Sequence, residues 1–329
     1  VSLLIPAYNE QHVIRDKILN SLNLEYPKDR LQIVVISDGS TDKTNEIVRT
    51  YSNEGVWLHE YPSNRGKICA LNQSIPRVTG DILIFSDAGS MLKFDAVKEL
   101  AQNFADRSVG GVSGVYKVLE KGKSTLGNEE DFYWKYETFI KLKENRIGCT
   151  LGAHGSLYAI RKSLYSYPDN GTVNDDYVIP MGVIKQGYRT IYEPKAVAYE
   201  EAEQMKGFSR RLRIAVGNFQ QLSVIKFLFK PLRELLLFQF FSHKVLRLLV
   251  PFFLLFIFGA NFFLHATVYQ VILTLQILFY GAAIFGWIFQ KTKTVEIPLV
   301  KLPYYFFMIN TSYLIGLFKF FRYKGKVSW

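Results

Sequence analysis

Short apolar runs alternate with stretches of helical apolar spacing over the first hundred residues. Residues 1–5 (Val-Ser-Leu-Leu-Ile) form a strand-like run that stops at Pro6, and residues 11–24 repeat Val13, Ile14, Ile18 and Leu22 at helical intervals until Tyr26-Pro27 breaks them. Residues 31–36 make a second β-rich run, followed by Asp38-Gly39-Ser40 and a helix carrying Ile47 and Val48. A third run lies at 56–59, helical spacing returns over 67–76, and residues 81–86 form a fourth strand. Continuous apolar strands separated by helices predict an α/β domain with a mostly parallel central sheet covered on both faces. Ligands of such sheets bind beyond the carboxyl ends of the strands, which gives the loops at 6–10, 38–41 and 87–90 one shared address.

The pattern changes in the last third. Residues 248–290 contain no Asp, Glu, Lys or Arg, and one membrane span needs about 20 apolar residues. The run therefore predicts two spans, at about 246–265 and 268–289, with a tight turn between them. Lys244, Arg247, Lys291 and Lys293 flank the pair on one side. By the positive-inside rule, the preceding domain then faces the cytoplasm of a multi-pass membrane protein. A third apolar segment, 298–320, carries Lys301, Asn310, Thr311, Ser312 and Lys319, and fits a helix at the interface or re-entering from it. Residues 226–243 predict a second interfacial helix, with an ordinary packed helix as the plain alternative for both. The expected organisation is a catalytic domain at 1–225 and membrane helices at 226–329.

Charge follows the same division. The net charge is +11, yet residues 1–225 are nearly balanced, and the excess lies in the apolar tail. That suits membrane-flanking charge and argues against nucleic acid as a partner. Cys69 and Cys149 belong to no metal-spaced motif and read as buried reduced thiols. No Gly-x-Gly-x-x-Gly follows the first strand and no P-loop is present, which excludes the common dinucleotide and NTPase signatures. The chain begins with Val1 inside a strand and shows no signal peptide, so it reads as a segment of a longer protein.

Five motifs carry candidate chemistry. They are Ser2–Glu10 (SLLIPAYNE), Val34–Asp42 (VVISDGSTD), Asn64–Asn72 with Asn64-Arg65-Gly66-Lys67, Asp81–Ser90 (DILIFSDAGS), and Asn174-Asp175-Asp176 followed by Lys185–Arg189 (KQGYR). In this order they resemble the family 2 glycosyltransferases, inverting enzymes with the GT-A fold, over roughly residues 1–220. The resemblance implies a GT-A nucleotide-diphospho-sugar transferase domain followed by the membrane helices. It places Tyr8, Glu10 and Asp38 around the nucleoside, although Asp-Gly-Ser is by itself a common turn. Lys67 would meet the diphosphate as a point charge, and Asp87 would contact Mg²⁺ or Mn²⁺. Many family members carry a second Asp two positions later. This chain has Gly89 there, which implies a thinner protein shell around the metal and weaker affinity for it.

The acidic pair before the helix implies a general base. The register of Gly187-Tyr188 selects Asp176 for that role and Asp175 as its neighbour, two adjacent like charges being expected to raise one pKa. Helix capping is the alternative use of such a pair. Leu151–Ser156 (LGAHGS) resembles the loop near the acceptor, where His154 would touch phosphate or acceptor, or serve structure alone. Arg210, Arg211 and Arg213 fall where processive members have Gln-Arg-x-Arg-Trp and would neutralise the leaving group. Ile214 replaces the Trp, which counts against polymer synthesis.

The function so implied is inverting transfer of a sugar from a nucleotide-sugar donor, UDP-linked by family habit, to a lipid-linked or glycan acceptor at the bilayer. The rivals are a processive polysaccharide synthase and a catalytically inactive nucleotide- or glycan-binding subunit. Oligomeric state has no signature in the sequence.

Overall fold

Successive side chains of a strand leave on opposite faces, and in the first strand of this chain both faces are buried. The structure, a computed structural model, describes residues 1–119, 125–201, 208–228, 234–290 and 298–322. Strands β1 (Ser2–Ala7), β2 (Gln32–Asp38), β3 (Val56–Tyr61) and β4 (Ile82–Phe85) run parallel in the spatial order β3-β2-β1-β4. Leu3, Ile5, Ile33, Val35 and Ile84 enter one core. Leu4, Val34, Ile36, Leu83 and Phe85 enter the other.

Helices cover each face. They are α1 (Ile14–Leu22), α2 (Thr44–Arg49), α3 (Lys67–Ser74), α4 (Ala96–Ala101), α5 (Thr125–Arg146) and α6 (Asp175–Lys185). α1 and α4 contribute Ile14, Ile18, Ala96, Val97 and Leu100 to the first core. α3 and α6 contribute Ile68, Leu71, Ile179 and Val183 to the second. Truncating a buried Leu or Ile of this kind to Ala costs about 2–5 kcal/mol, so the strand ends form a firm base for the loops above them.

Four more strands complete an eight-stranded sheet: β5 (Met91–Leu92), β6 (Val109–Leu119), β7 (Tyr158–Arg161) and β8 (Arg189–Glu201). The full order is β3-β2-β1-β4-β7-β6-β8-β5. β7 is antiparallel to β4 and to β6, β6 is parallel to β8, and β5 is antiparallel to β8. The expected parallel half is therefore joined to a mixed half.

The first compact unit ends at residue 204, and the second begins at 205. The second holds α7 (Phe208–Gln220), α8 (Ile225–Leu228), α9 (Glu234–Gln239), α10 (Leu246–Asn261), α11 (Thr267–Gln290) and α12 (Pro298–Arg322). The expected domain boundary at 225 falls beyond α7, and α7 packs on α12 within the second unit. A Cβ added at Gly316 would stand 2.8 Å from Ala215 Cβ, and Asn218 Nδ2 donates to Tyr313 Oη at 3.2 Å.

α9 runs through a π-helical turn at Phe240–Val245 straight into α10, making one helix from Glu234 to Asn261. Residues 234–243 are thus the start of a long helix and not a separate interfacial one, because no Gly or Pro interrupts 234–250. Residues 229–233 of that expected element lie outside the described residues. Glu234–Asn261 and Thr267–Ile288 are the two helices, among the described residues, long and apolar enough to cross a membrane. Asn261 Nδ2 donates to Gln276 Oε1 at 2.8 Å between them, the kind of bond that joins helices where water is absent.

Candidate active site

Each strand of the parallel half ends in a loop, and these loops are tied to one another by polar contacts. Asn9 adopts φ 57°, and its Oδ1 accepts from the Thr41 backbone N–H at 2.8 Å. The Glu10 and Gln11 amides donate to Thr44 Oγ1 and Asp42 Oδ2. The loop after β1 is thereby fastened to the loop after β2. Tyr8 stands exposed at this mouth and Glu10 is half-buried.

Asp38, at the end of β2, is buried. Its carboxylate accepts from the backbone N–H groups of Arg65 (3.0 and 3.2 Å) and Gly66 (2.7 Å). Each such bond to a charged acceptor contributes about 1.5–3 kcal/mol. Gly39 beside it has φ 72°, and a Cβ there would meet the Ser63 carbonyl carbon at 2.3 Å, so only glycine lets the two loops approach. Asp38 thus sets where the chain enters α3, whose first residue is Lys67. Beyond the nucleoside contact expected of it, the Asp38 carboxylate is seen here to build the loop that carries the cation.

Lys67 Nζ lies 2.9 Å from Asp87 Oδ1 and 3.1 Å from Asp175 Oδ2. Burial works against its charge, but Asp175 and Asp87 together outweigh burial and hold its pKa above the ordinary lysine value. Asp87 follows β4 directly, and Asp175 opens α6. Asp175 is buried and also accepts from Tyr158 Oη at 3.2 Å. The Tyr158 hydroxyl, buried and beside Asp175, has its pKa pushed well above the usual tyrosine value.

The two aspartates of the pair have different surroundings. Asp175 turns to Lys67 and Tyr158, whereas Asp176 is half-buried and faces Gly155. A Cβ placed on Gly155 would lie 3.5 Å from Asp176 Oδ2 and 3.7 Å from Asp87 Oδ2. The absent side chain leaves a gap into which both carboxylates reach. Gly155 has no left-handed backbone conformation, and an added methyl would make only ordinary contacts. Gly155→Ala is therefore expected to leave the unfolding midpoint unchanged while turnover falls about 10²-fold, the cost of a small misplacement of reacting groups; steady-state kinetics beside a thermal melt checks both.

The loop holding Gly155 is fixed by groups that the sequence analysis missed. Glu137, Lys141 and Glu144 recur at helical spacing on α5 and are buried. Lys141 Nζ donates to the carbonyls of Leu151 and Gly152 at 3.3 and 3.2 Å, and Glu144 Oε2 accepts from the Leu151 amide at 3.1 Å. His154 is buried, its Nε2 3.3 Å from Tyr192 Oη and its ring edge-on to that tyrosine. These contacts give His154 a part in the loop's structure. The signal in the sequence was the acidic-basic-acidic stripe at 137, 141 and 144.

Arg210, Arg211 and Arg213 lie on α7, in the second unit, while the cluster above is built wholly by the first. Arg211 stacks its guanidinium 4.6 Å over the Tyr305 ring. Cys69 and Cys149 are both buried, as expected, and Cys149 Sγ lies 3.2 Å from Thr190 Oγ1.

Comparison with known proteins agrees with this geometry. The model of "Glycosyl transferase family 2" matches residues 2–166. The "Probable glycosyltransferase YdaM" of Bacillus subtilis is 34% identical over 260 residues, covering 73% of this chain and 60% of that protein. A poly-beta-1,6-N-acetyl-D-glucosamine synthase of Staphylococcus aureus is 29% identical over 230 residues, covering 68% and 55%. The chain thus spans little more than half the length of these curated relatives. Among solved structures, the mannosyltransferase PcManGT of Pyrobaculum calidifontis, determined with GDP-Man and Mn²⁺, superposes with TM-score 0.69 at 22% identity, over 97% of this chain and 86% of that one. S. aureus TarS 1-349 follows at 0.53 and 18%, over 74% and 72%. These likenesses are of fold, and the fold is GT-A. With half its length matched by the family model and the acidic motifs converging at the strand ends, the chain belongs to glycosyl transferase family 2.

Proposed function

We propose that the protein transfers a sugar from a UDP-linked donor to a lipid-linked or glycan acceptor, with inversion at the anomeric carbon, on the cytoplasmic face of a membrane. The observation that carries this reading is the convergence of Asp87 and Asp176 on the gap beside Gly155, with Lys67 clamped between Asp87 and Asp175. Asp176 takes the proton of the acceptor hydroxyl as that oxygen attacks the anomeric carbon from the face opposite the departing diphosphate. Lys67 supplies positive charge toward the diphosphate, and Asp175 keeps that ammonium charged and aimed. Tyr8 and Glu10 are assigned to the nucleoside.

Mg²⁺ or Mn²⁺ fits this site through Asp87, because Gly89 and Gly155 leave open the space that side chains would fill. Among the described residues no three His, Cys, Asp or Glu side chains gather as a ready-made metal site. An ion held by Asp87 would complete its shell with diphosphate oxygens and water, as Mg²⁺ commonly does. When bound, it offsets charge on the departing diphosphate.

The test is a donor screen. Purified full-length chain in detergent, given a panel of nucleotide sugars with Mn²⁺ or Mg²⁺, is expected to turn over one or a few UDP sugars. Excess chelator should lower that rate by about 10²-fold, and added metal should restore it. Absence of any nucleotide binding would overturn the reading, and full activity in chelator would remove the metal from it.

The named synthase relative favours a second reading, processive polymer synthesis. Ile214 in place of Trp favours single or limited addition. Product length, measured at low enzyme-to-acceptor ratio, separates them.

A further inference from the structure

A lysine stands where the apolar pattern of α1 calls for a hydrophobic residue. Lys17 is fully buried, on the same face as Ile14, Ile18 and Ser21. Its Nζ donates to Ser86 Oγ at 2.6 Å and to the carbonyl of Ser90. These two partners bracket the turn Asp87-Ala88-Gly89, closed by the Ser90 amide bonding to the Asp87 carbonyl at 3.1 Å. Ser86 Oγ passes its own hydrogen on to the Ser156 carbonyl at 2.9 Å. A single chain of bonds thus runs from α1 through the acidic turn to the loop of Gly155. One turn further along α1, Asn20 exchanges two bonds of 2.8 Å with the backbone of Leu92.

We propose that Lys17 is a positioning residue of the transfer reaction: from beneath, it fixes the turn carrying Asp87 in register with the loop carrying Gly155. A hydroxyl and a carbonyl are no counter-ion, so a buried ammonium held by them is costly. A methionine would fill the same space without that cost. What favours the charge is the active-site side of the turn. Burial pushes the Lys17 pKa down to about 7, against an opposing pull from Asp87 and Glu200. Glu200 Oε1 lies 3.6 Å from where a Cβ on Gly89 would stand, so the turn lacking the second aspartate sits between the Lys17 amine below and a carboxylate from β8. With one carboxylate fewer on the turn, the placing of Asp87 falls to the bonds that hold the turn's backbone. The inference rests on the assignment of Asp87 to the donor site.

The experiment compares Lys17→Met, Ser86→Ala and Asp87→Asn in the full chain, measuring kcat, donor KM, UDP affinity by calorimetry and the unfolding midpoint. Lys17→Met is expected to lower kcat about 30- to 100-fold, with donor KM and UDP affinity held within about threefold and the midpoint unchanged or raised. Ser86→Ala, which breaks the link to Ser156 with little risk to folding, should lower kcat about five- to tenfold. Should Lys17→Met fail to fold, Ser86→Ala decides. Turnover within twofold of the parent, or a loss wholly explained by raised KM or a smaller folded fraction, would overturn the proposal. If Asp87→Asn is inactive while Lys17→Met turns over within twofold of the parent, this inference alone fails. If Asp87→Asn is fully active, the assignment of Asp87 fails and the inference with it.

Discussion

Asp176→Asn is expected to lower sugar transfer by about 10³-fold, within the range that a positioned general base contributes, while donor affinity stays within about threefold. The substitution keeps shape and keeps a helix-compatible polar group in the first turn of α6. It removes only the ability to accept a proton beside the gap at Gly155, where Asp176 Oδ2 and Asp87 Oδ2 meet. Asp175→Asn is the informative control. Asp175 is engaged with Lys67 and Tyr158, so its loss should weaken the fold and the cation together. Turnover by Asp176→Asn within tenfold of the parent would take the base role away from it.

Lys67→Met is expected to lower turnover by about 10³-fold, as loss of a preorganised charge at the leaving group does, and to destabilise the domain as well. The energetic part comes mainly from Asp175, whose side chain is 9% exposed beside a Lys67 that is 15% exposed. Asp87 is 43% exposed, and water screens its share. Removing one partner of a buried pair costs about 3–5 kcal/mol, read as a lower urea midpoint of the detergent-solubilised chain. The pH sign follows from the raised pKa of Lys67. Its stabilisation is fully present below the ordinary lysine value of 10.5 and fades only as pH rises past the folded pKa. No pH between 6 and 9 should therefore restore Lys67→Met toward the parent. Recovery in that window would show that Lys67 is not the charge that matters.

Much of this site lies open in the linear sequence because parallel strands deliver their loops to one edge. Four apolar runs with polar loops after them are enough to say that the loops at 6–10, 38–41 and 87–90 share an address, and the family resemblance adds Lys67 to it. The later strands are less legible. β6 and β8 contain Gly110, Gly111, Gly114 and Pro194, which break apolar runs, and their pairing is set by contacts across long stretches of chain. Asp38 shows the limit for single residues. Its motif is plain, but its bonds to Arg65 and Gly66 follow from the close approach of two loops at Gly39. Lys17 was hidden for the opposite reason. A lysine beside the apolar stripe of Ile14 and Ile18 reads as a solvated position at its margin, and only the packed structure shows Lys17 fully buried with its Nζ on Ser86 and Ser90. The long apolar tail stands apart, since an uncharged run of 43 residues needs no tertiary contact to be recognised.

By itself the sequence determined the chemical inventory and its order: apolar strands alternating with helices, acidic and basic residues in the loops after those strands, and an apolar tail long enough for two spans. These follow from local periodicity and residue type, which neighbours in the chain already set. Tertiary structure decided what each carboxylate of the adjacent pair touches. Asp175 and Asp176 are adjacent in sequence and alike in chemistry, yet the turn of α6 sends one toward Lys67 and Tyr158 and the other toward Gly155. That division depends on helix geometry and on charges brought from β4 and α3, more than eighty residues away, and only packing brings them within bonding distance.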